Sequence, residues 1–383
     1  MRILLIAHVG ETLGHLVRAQ SVAASLSEHS HDVHIAAEDT ERVRHYLEGE
    51  SGLRFSGVRW QWSHNAASLE AADPQFVARI LESALDIRST IDRIQPDLVL
   101  GFPGVLSTLL ARACGVPHAS VMHAPYLVPL WTDEDQSTEA VSIRSIGQRV
   151  CSAADHVATF LNRQIGTPPL RYEEFLESER IFVPQPGLSL RRTPQGVTMT
   201  GFIKGSLGPA YDGEISHDSC YVTFGSGNPC DISGIVDVTA QVFGQVIVST
   251  GGARLPEVAG NVRVVESVAS RSLAGHVRAV VSHGGLGTVG TFAEFGHPQL
   301  VIPTEFDQAT TGLYCRATGI AATCGLEAWP SRRSLGRQLP ALSADTIRQQ
   351  VTLLSKQTKQ ASHSASGADD IAGLVESKVR GAA

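Results

Sequence analysis

Short, mostly apolar runs rich in β-branched residues recur along this chain, and most show apolar residues at adjacent positions rather than strict alternation. In the first half they fall at 3–7, 32–36, 97–101 and 118–122. In the second half they fall at 220–224, 245–249, 262–265, 279–282 and 299–302. A strand that reads as a continuous apolar run is buried on both faces, and such strands belong to parallel sheets covered by helices. Helix-length stretches such as 15–26 and 74–93 stand between the runs. The strand–helix–strand order predicts an α/β chain of two doubly wound, Rossmann-like domains facing across a cleft. A length of 383 residues suits two such cores better than one.

The strand pattern weakens over 184–217, where prolines and glycines collect. We place a first domain at 1–200, a linker at 201–217, a second domain at 218–350 and a helical tail at 351–383. The tail could pack on either domain. Acidic residues outnumber basic ones, 38 to 31, and no basic stripe interrupts the sequence, so nucleic acid is not an expected partner. Cysteines at 114, 151, 220, 230, 315 and 324 have no metal-site spacing and read as small buried hydrophobes in a reducing compartment. The first apolar run is too short for a signal peptide, and no segment is apolar for the length of a membrane span. A cytoplasmic protein is expected.

The most informative stretch is 282–288, Ser-His-Gly-Gly-Leu-Gly-Thr. It leaves an apolar strand and opens a helix. Glycines there let a ligand approach the backbone, and a helix start offers unpaired N–H groups to an anion. His283 and Thr288 add side-chain donors beside Gly284, Gly285 and Gly287. Asp307 and Gln308 follow, a carboxylate and an amide that can together accept from and donate to vicinal hydroxyls.

The run from His283 to Gln308, with Gly296, Pro298 and Pro303 between, resembles the donor-binding signature of family-1 type glycosyltransferases of GT-B fold. The segment 266–273, Glu-Ser-Val-Ala with a Leu beyond, resembles the base-reading loop of the bacterial vancomycin-group members. The resemblance implies that His283, the Gly284–Thr288 backbone and Ser226 hold a diphosphate. It implies that the backbone at Val268 reads the base, and that Asp307 and Gln308 hold the sugar. Many uridine-specific members carry a Glu for the ribose where this chain has Thr291, which favours a dTDP-sugar over a UDP-sugar; Glu294, about one turn on, could stand in.

On the acceptor side, Gly14–His15 matches the family's Gly-His pair, whose imidazole is the usual general base. Many members orient that ring with an Asp at the end of the strand over 97–101, where this chain has Gly101. Asp133, Glu134 or Asp135 could serve instead. His123 and the aromatics Trp60 and Trp62, with His64, are candidates for lining an acceptor pocket. The resulting expectation is an inverting transfer of a sugar from a dTDP- or UDP-sugar to a hydroxyl of a small, natural-product acceptor. It uses no metal and no further cofactor. The alternatives are a lipid-linked N-acetylglucosaminyl transferase, a nucleotide-sugar 2-epimerase, and a non-catalytic homologue that binds sugar nucleotides.

Overall fold

The structure is a computed structural model. It describes residues 1–8, 13–48, 53–59, 74–130, 138–205, 208–225, 231–252, 254–324, 330–342, 351–352, 356 and 366–380. The chain forms two compact units. The first comprises Met1–Gln136, Arg144–Ile203 and Ser364–Ala383, and the second Ser137–Ile143 and Lys204–His363.

The first unit holds strands β1 (Arg2–Ala7), β2 (Asp32–Glu38), β3 (Arg54–Val58), β4 (Leu98–Phe102), β5 (His118–Val121), β6 (Ile181–Val183) and β7 (Val197–Met199). They form a parallel sheet in the order β3-β2-β1-β4-β5-β6-β7. The second holds β8 (Ser219–Thr223), β9 (Gln245–Ser249), β10 (Val262–Val265), β11 (Ala279–Ser282), β12 (Gln299–Val301) and β13 (Ala322–Thr323), parallel in the order β10-β9-β8-β11-β12-β13. Each sheet reverses its winding direction once, between β1 and β4 in the first and between β8 and β11 in the second. A crevice opens at the strand C-termini at such a reversal.

The second unit shows why its strands read as unbroken apolar runs. Cys220, Val222, Val246, Val248, Ala279 and Val281 face one side, with Ile235, Val236, Leu335 and Leu339 packed over them. Tyr221, Ile247 and Val280 face the other, against Val268, Leu273 and Phe292. Successive side chains of a strand point to opposite faces, so covering both faces requires every residue to be apolar. Each fully buried Val or Ile contributes roughly 1.5–3 kcal/mol.

Two features of the fold lie where the sequence pattern is weak. The Pro- and Gly-rich stretch 184–217 contains β7, which closes the outer edge of the first sheet. Proline is tolerated beside edge strands, where fewer ladder bonds are needed. The tail helix Gly367–Arg380 belongs to the first unit. Asp370 accepts the buried Gly201 N–H at 2.8 Å, and Asp369 accepts from Ser25 at 2.7 Å. A side chain at 367 would stand 1.9 Å from the Gly201 carbonyl oxygen, so only glycine lets this helix begin there. Among the described residues no helix is long and apolar enough to cross a membrane. Cys220, Cys315 and Cys324 are buried, Cys114 and Cys151 are only half-buried, none of these is in a disulfide, and Cys230 lies outside the described residues.

At the opposite end of the first sheet, Glu179 is 5% exposed and accepts from His118 Nε2 at 2.5 Å and from Arg112. Burial opposes ionisation of Glu179, but the His118 hydrogen bond and the charges of His118 and Arg112 outweigh it, so its carboxyl sits below the usual range. A depressed carboxyl contributes stability above its unfolded pKa and loses it as pH falls through the folded value. Glu179→Ala should therefore cost about 1.5–3 kcal/mol at pH 7. The gap to wild type in urea unfolding should close as pH drops below 4.5, the ordinary Glu value. A gap independent of pH would refute the ionic account.

Candidate active site

The strand–helix turn of the second unit is built at the winding reversal. β11 ends at Ser282, and the His283 N–H donates to the Thr223 carbonyl at the end of β8, 3.3 Å away. Gly284 takes φ +93°, with its Cα packed close to Val301 and the Gln308 backbone. A side chain there would meet Val301 Cγ1 at 2.7 Å, so the turn can close on β12 and the next helix only through glycine. The helix Leu286–Glu294 then starts from Gly285 with no side-chain cap. A side chain on Gly287 would meet nothing within 4 Å. First-turn N–H groups without a side-chain cap, open space at Gly287 and a positive dipole end suit an oxyanion. Thr288 is half-buried within that turn.

The His283 ring lies beside Phe224, centroid to centroid 6.4 Å, with Nδ1 3.5 Å from the Thr223 carbonyl oxygen. A carbonyl only accepts, so the hydrogen of the neutral ring belongs on Nδ1 and the lone pair on Nε2. Burial pulls the His283 pKa down to about 4, although the Thr223 carbonyl partly offsets it. The Nε2 edge borders two glycines. A methyl on Gly285 would stand 2.8 Å from Nε2, and one on Gly225 3.3 Å from it.

Asp307 and Gln308 open the helix Phe306–Thr318. Gln308 is 4% exposed, and its Oε1 accepts from the Thr304 N–H and hydroxyl at 2.9 and 2.8 Å. What Gln308 can offer a ligand is therefore its NH₂ end, while Asp307 offers a carboxylate. The Val268 side chain is buried in the core, and its backbone nitrogen packs against Gly208. Thr291 is buried and donates to the Gly287 carbonyl at 2.8 Å, a bond within its own helix. Glu294 pairs with Lys204 at 2.7 Å, which commits the carboxylate that could have replaced a ribose-binding Glu. Ser226 lies outside the described residues.

In the first unit His15 is the second residue of the helix Gly14–Glu28, which follows β1. Its ring lies 6.2 Å from that of His8, 5.5 Å from His123 and 6.5 Å from Tyr126. His8 and His123 come from the C-terminal ends of β1 and β5, so the topology gathers three imidazoles at one sheet edge. His8 was not legible as a site residue. Its one signal is positional, since it leaves β1 as His283 leaves β11.

Nδ1 of the His15 ring meets a cation. Arg18, 8% exposed and one turn on, donates to Nδ1 at 2.8 Å. The neutral ring therefore carries its hydrogen on Nε2. Gly101 cannot supply an acid, because a Cβ there would lie 2.0 Å from Ser107 Oγ and 2.5 Å from Gly104 Cα. Trp60, Trp62, His64, Asp133, Glu134 and Asp135 lie outside the described residues.

Gly285 has φ −58°, which alanine adopts without strain. Gly285→Ala should therefore fold normally yet crowd Nε2 of His283. We expect about a tenfold loss of affinity for a nucleoside diphosphate, roughly 1.4 kcal/mol, measured by calorimetry beside an unchanged melting temperature. Unchanged affinity would place the anion elsewhere.

Residues 233–371 match the family described as Erythromycin biosynthesis protein CIII-like, C-terminal domain. The chain is 24% identical over 279 residues to an erythronolide mycarosyltransferase of Saccharopolyspora erythraea. That match covers 70% of this chain and 63% of the relative's own length. Among solved structures, the spinosyn forosaminyltransferase SpnP matches with TM-score 0.74 at 19% identity, over 99% of both chains. The calicheamicin glycosyltransferase CalG4 matches at TM-score 0.72 and 18% identity, over 100% of this chain and 99% of its own. The glycosyltransferase VinC, solved in complex with dTDP, matches at 0.69 and 20%, over 99% of this chain and 100% of its own. The chain has the GT-B fold of these natural-product glycosyltransferases, and its second unit is similar to the erythromycin CIII-type C-terminal domain.

Proposed function

We propose that this protein is an inverting glycosyltransferase that moves a sugar from a nucleoside-diphosphate sugar to a hydroxyl of a natural-product acceptor. The observation that carries the proposal is the uncapped helix start after His283, at the winding reversal of the second sheet. Similarity to an erythronolide mycarosyltransferase and to forosaminyl and calicheamicin transferases favours a natural-product acceptor. Thymidine nucleotide is the donor base we favour. Thr291 is committed to its own helix and Glu294 to Lys204, so neither suits a grip on a ribose 2′-hydroxyl. The VinC structure, whose bound nucleotide is dTDP, agrees with that preference.

In this reading the diphosphate lies against the N–H groups of the Leu286–Glu294 helix, with Thr288 and Ser226 beside it and His283 at its edge. The backbone about Val268 reads the base. Asp307 accepts from sugar hydroxyls and Gln308 donates to sugar oxygens. The acceptor oxygen attacks the anomeric carbon as the bond from that carbon to the phosphate oxygen breaks, which inverts the centre. The helix end and His283 meet the charge on the departing diphosphate, and the reading calls for no metal.

His15 takes the acceptor's proton. Its lone pair is on Nδ1, where the acceptor hydroxyl has to compete with Arg18. A carboxylate partner would stabilise the imidazolium formed in this step, whereas a guanidinium opposes it. General-base catalysis is worth roughly 10²–10⁴-fold, and we place His15 near the lower bound. His15→Ala should accordingly lower kcat about 100-fold for a dTDP-hexose that supports turnover, while dTDP affinity stays as in wild type. Turnover is read as dTDP release in the presence of acceptor. Full kcat in the variant would move the role to another group, with His123 next in line. Failure of every dTDP- and UDP-sugar to bind would overturn the donor assignment itself.

A further inference from the structure

In the empty protein His283 is poorly suited to meet an anion. Its Nδ1 faces the Thr223 carbonyl, so the hydrogen of the neutral ring is turned away from the glycine-bordered edge. Nε2, the atom facing Gly225 and Gly285, then presents a lone pair. A lone pair repels a phosphate oxygen. The ring can donate on that side and keep its Nδ1 bond to the Thr223 carbonyl only by gaining a second hydrogen; the other neutral tautomer would turn a lone pair on that carbonyl.

The surroundings hold the empty ring neutral. It is bordered by Thr223, Phe224, Gly225 and Gly285, and among the described residues burial is the main influence on it, against the Thr223 carbonyl. From the helix Phe306–Thr318, Gln308 reaches the turn through its backbone carbonyl beside Gly284, and Asp307 is the titratable residue next to it in the chain. The uncapped helix beginning at Leu286 points its positive end toward the same place. Enclosure and dipole both oppose an imidazolium while the site is empty. A diphosphate reverses the balance, because its negative charge outweighs both and its oxygens accept the new N–H.

We propose that donor binding is proton-coupled: a proton from solvent joins Nε2 of His283 as the diphosphate enters, and the ring is imidazolium in the complex and neutral without it. This rests on the turn being the donor site. The charge created by uptake then stands beside the diphosphate when the glycosidic bond breaks, and the proton returns to solvent when the nucleotide leaves. The sign follows from linkage. The complex holds more protons than the free protein wherever pH lies between the empty ring's pKa, about 4, and the higher value in the complex. Affinity falls by up to tenfold per pH unit as pH rises through that window, and levels off above it.

The test is calorimetry of dTDP binding at pH 7 in two buffers of different ionisation enthalpy, for wild type and His283→Gln. The nucleotide's own ionisation cancels in the comparison. We expect wild type to take up a larger fraction of a proton per site than the variant. Equal proton exchange by two proteins that both bind dTDP would overturn the proposal and leave the donor site standing. If the variant does not fold or bind, wild type labelled with ¹⁵N-histidine decides the matter. One ring should gain a second N–H on adding dTDP, and spectra showing none would overturn the proposal. Absence of dTDP and UDP binding to wild type would instead overturn the donor site on which the proposal rests.

Discussion

At the end of β11 a strand buried on both faces gives way to a helix whose first N–H groups no side chain caps. Everything proposed for the second unit depends on that junction. A side-chain cap would satisfy those donors internally, and a bulkier residue at Gly284 would push the turn off Val301. The parallel sheet fixes where the junction lies. β8 and β11 pair directly, with Ser282 opposite Thr223, so His283 emerges beside the Thr223 carbonyl. The same logic recurs in the first unit. There β1 pairs with β4, and the His8 N–H donates to the Phe102 carbonyl at 2.9 Å.

The architecture was legible where strands are buried on both faces. Gln245–Ser249 and Ala279–Ser282 match the sequence reading to the residue, because a largely apolar run between helix-length stretches has few other solutions. Val262–Val265 matches as well, although it is an edge strand with Arg263 and Val264 exposed. The strands that escaped are of another kind. Arg54–Val58 lies at a sheet edge as Val262–Val265 does, but it carries Arg, Ser and Gly in place of that strand's three valines. Ile181–Val183, Val197–Met199 and Ala322–Thr323 are too short to show a period. The docking of Gly367–Arg380 on the first unit depends on Asp369 and Asp370 meeting Ser25 and Gly201, a tertiary pairing that no local pattern encodes.

The site divides in the same way. The strand, turn and helix around His283 to Thr288 could be read from the chain because they follow one another, whereas the roles given to Asp307 and Gln308 came from the family resemblance. The polarity of each group could not be read from either. That Gln308 has spent its carbonyl oxygen on Thr304, or that the Nδ1 side of His283 faces a carbonyl, depends on how segments pack. The acid absent at Gly101 was visible in the sequence, yet its reason is steric, since Ser107 and Gly104 fill the space of a side chain. Arg18, on the same helix, gives His15 a cationic neighbour.

The central claim is that a nucleoside diphosphate sits on the N-terminus of the Leu286–Glu294 helix. A crystal structure of the protein grown with dTDP tests it most directly. The account predicts diphosphate density within hydrogen-bonding distance of the Leu286–Thr288 N–H groups and of His283 Nε2, with the base beside Val268. Diphosphate bound away from that turn, or a turn that stays empty at saturating dTDP, would contradict it.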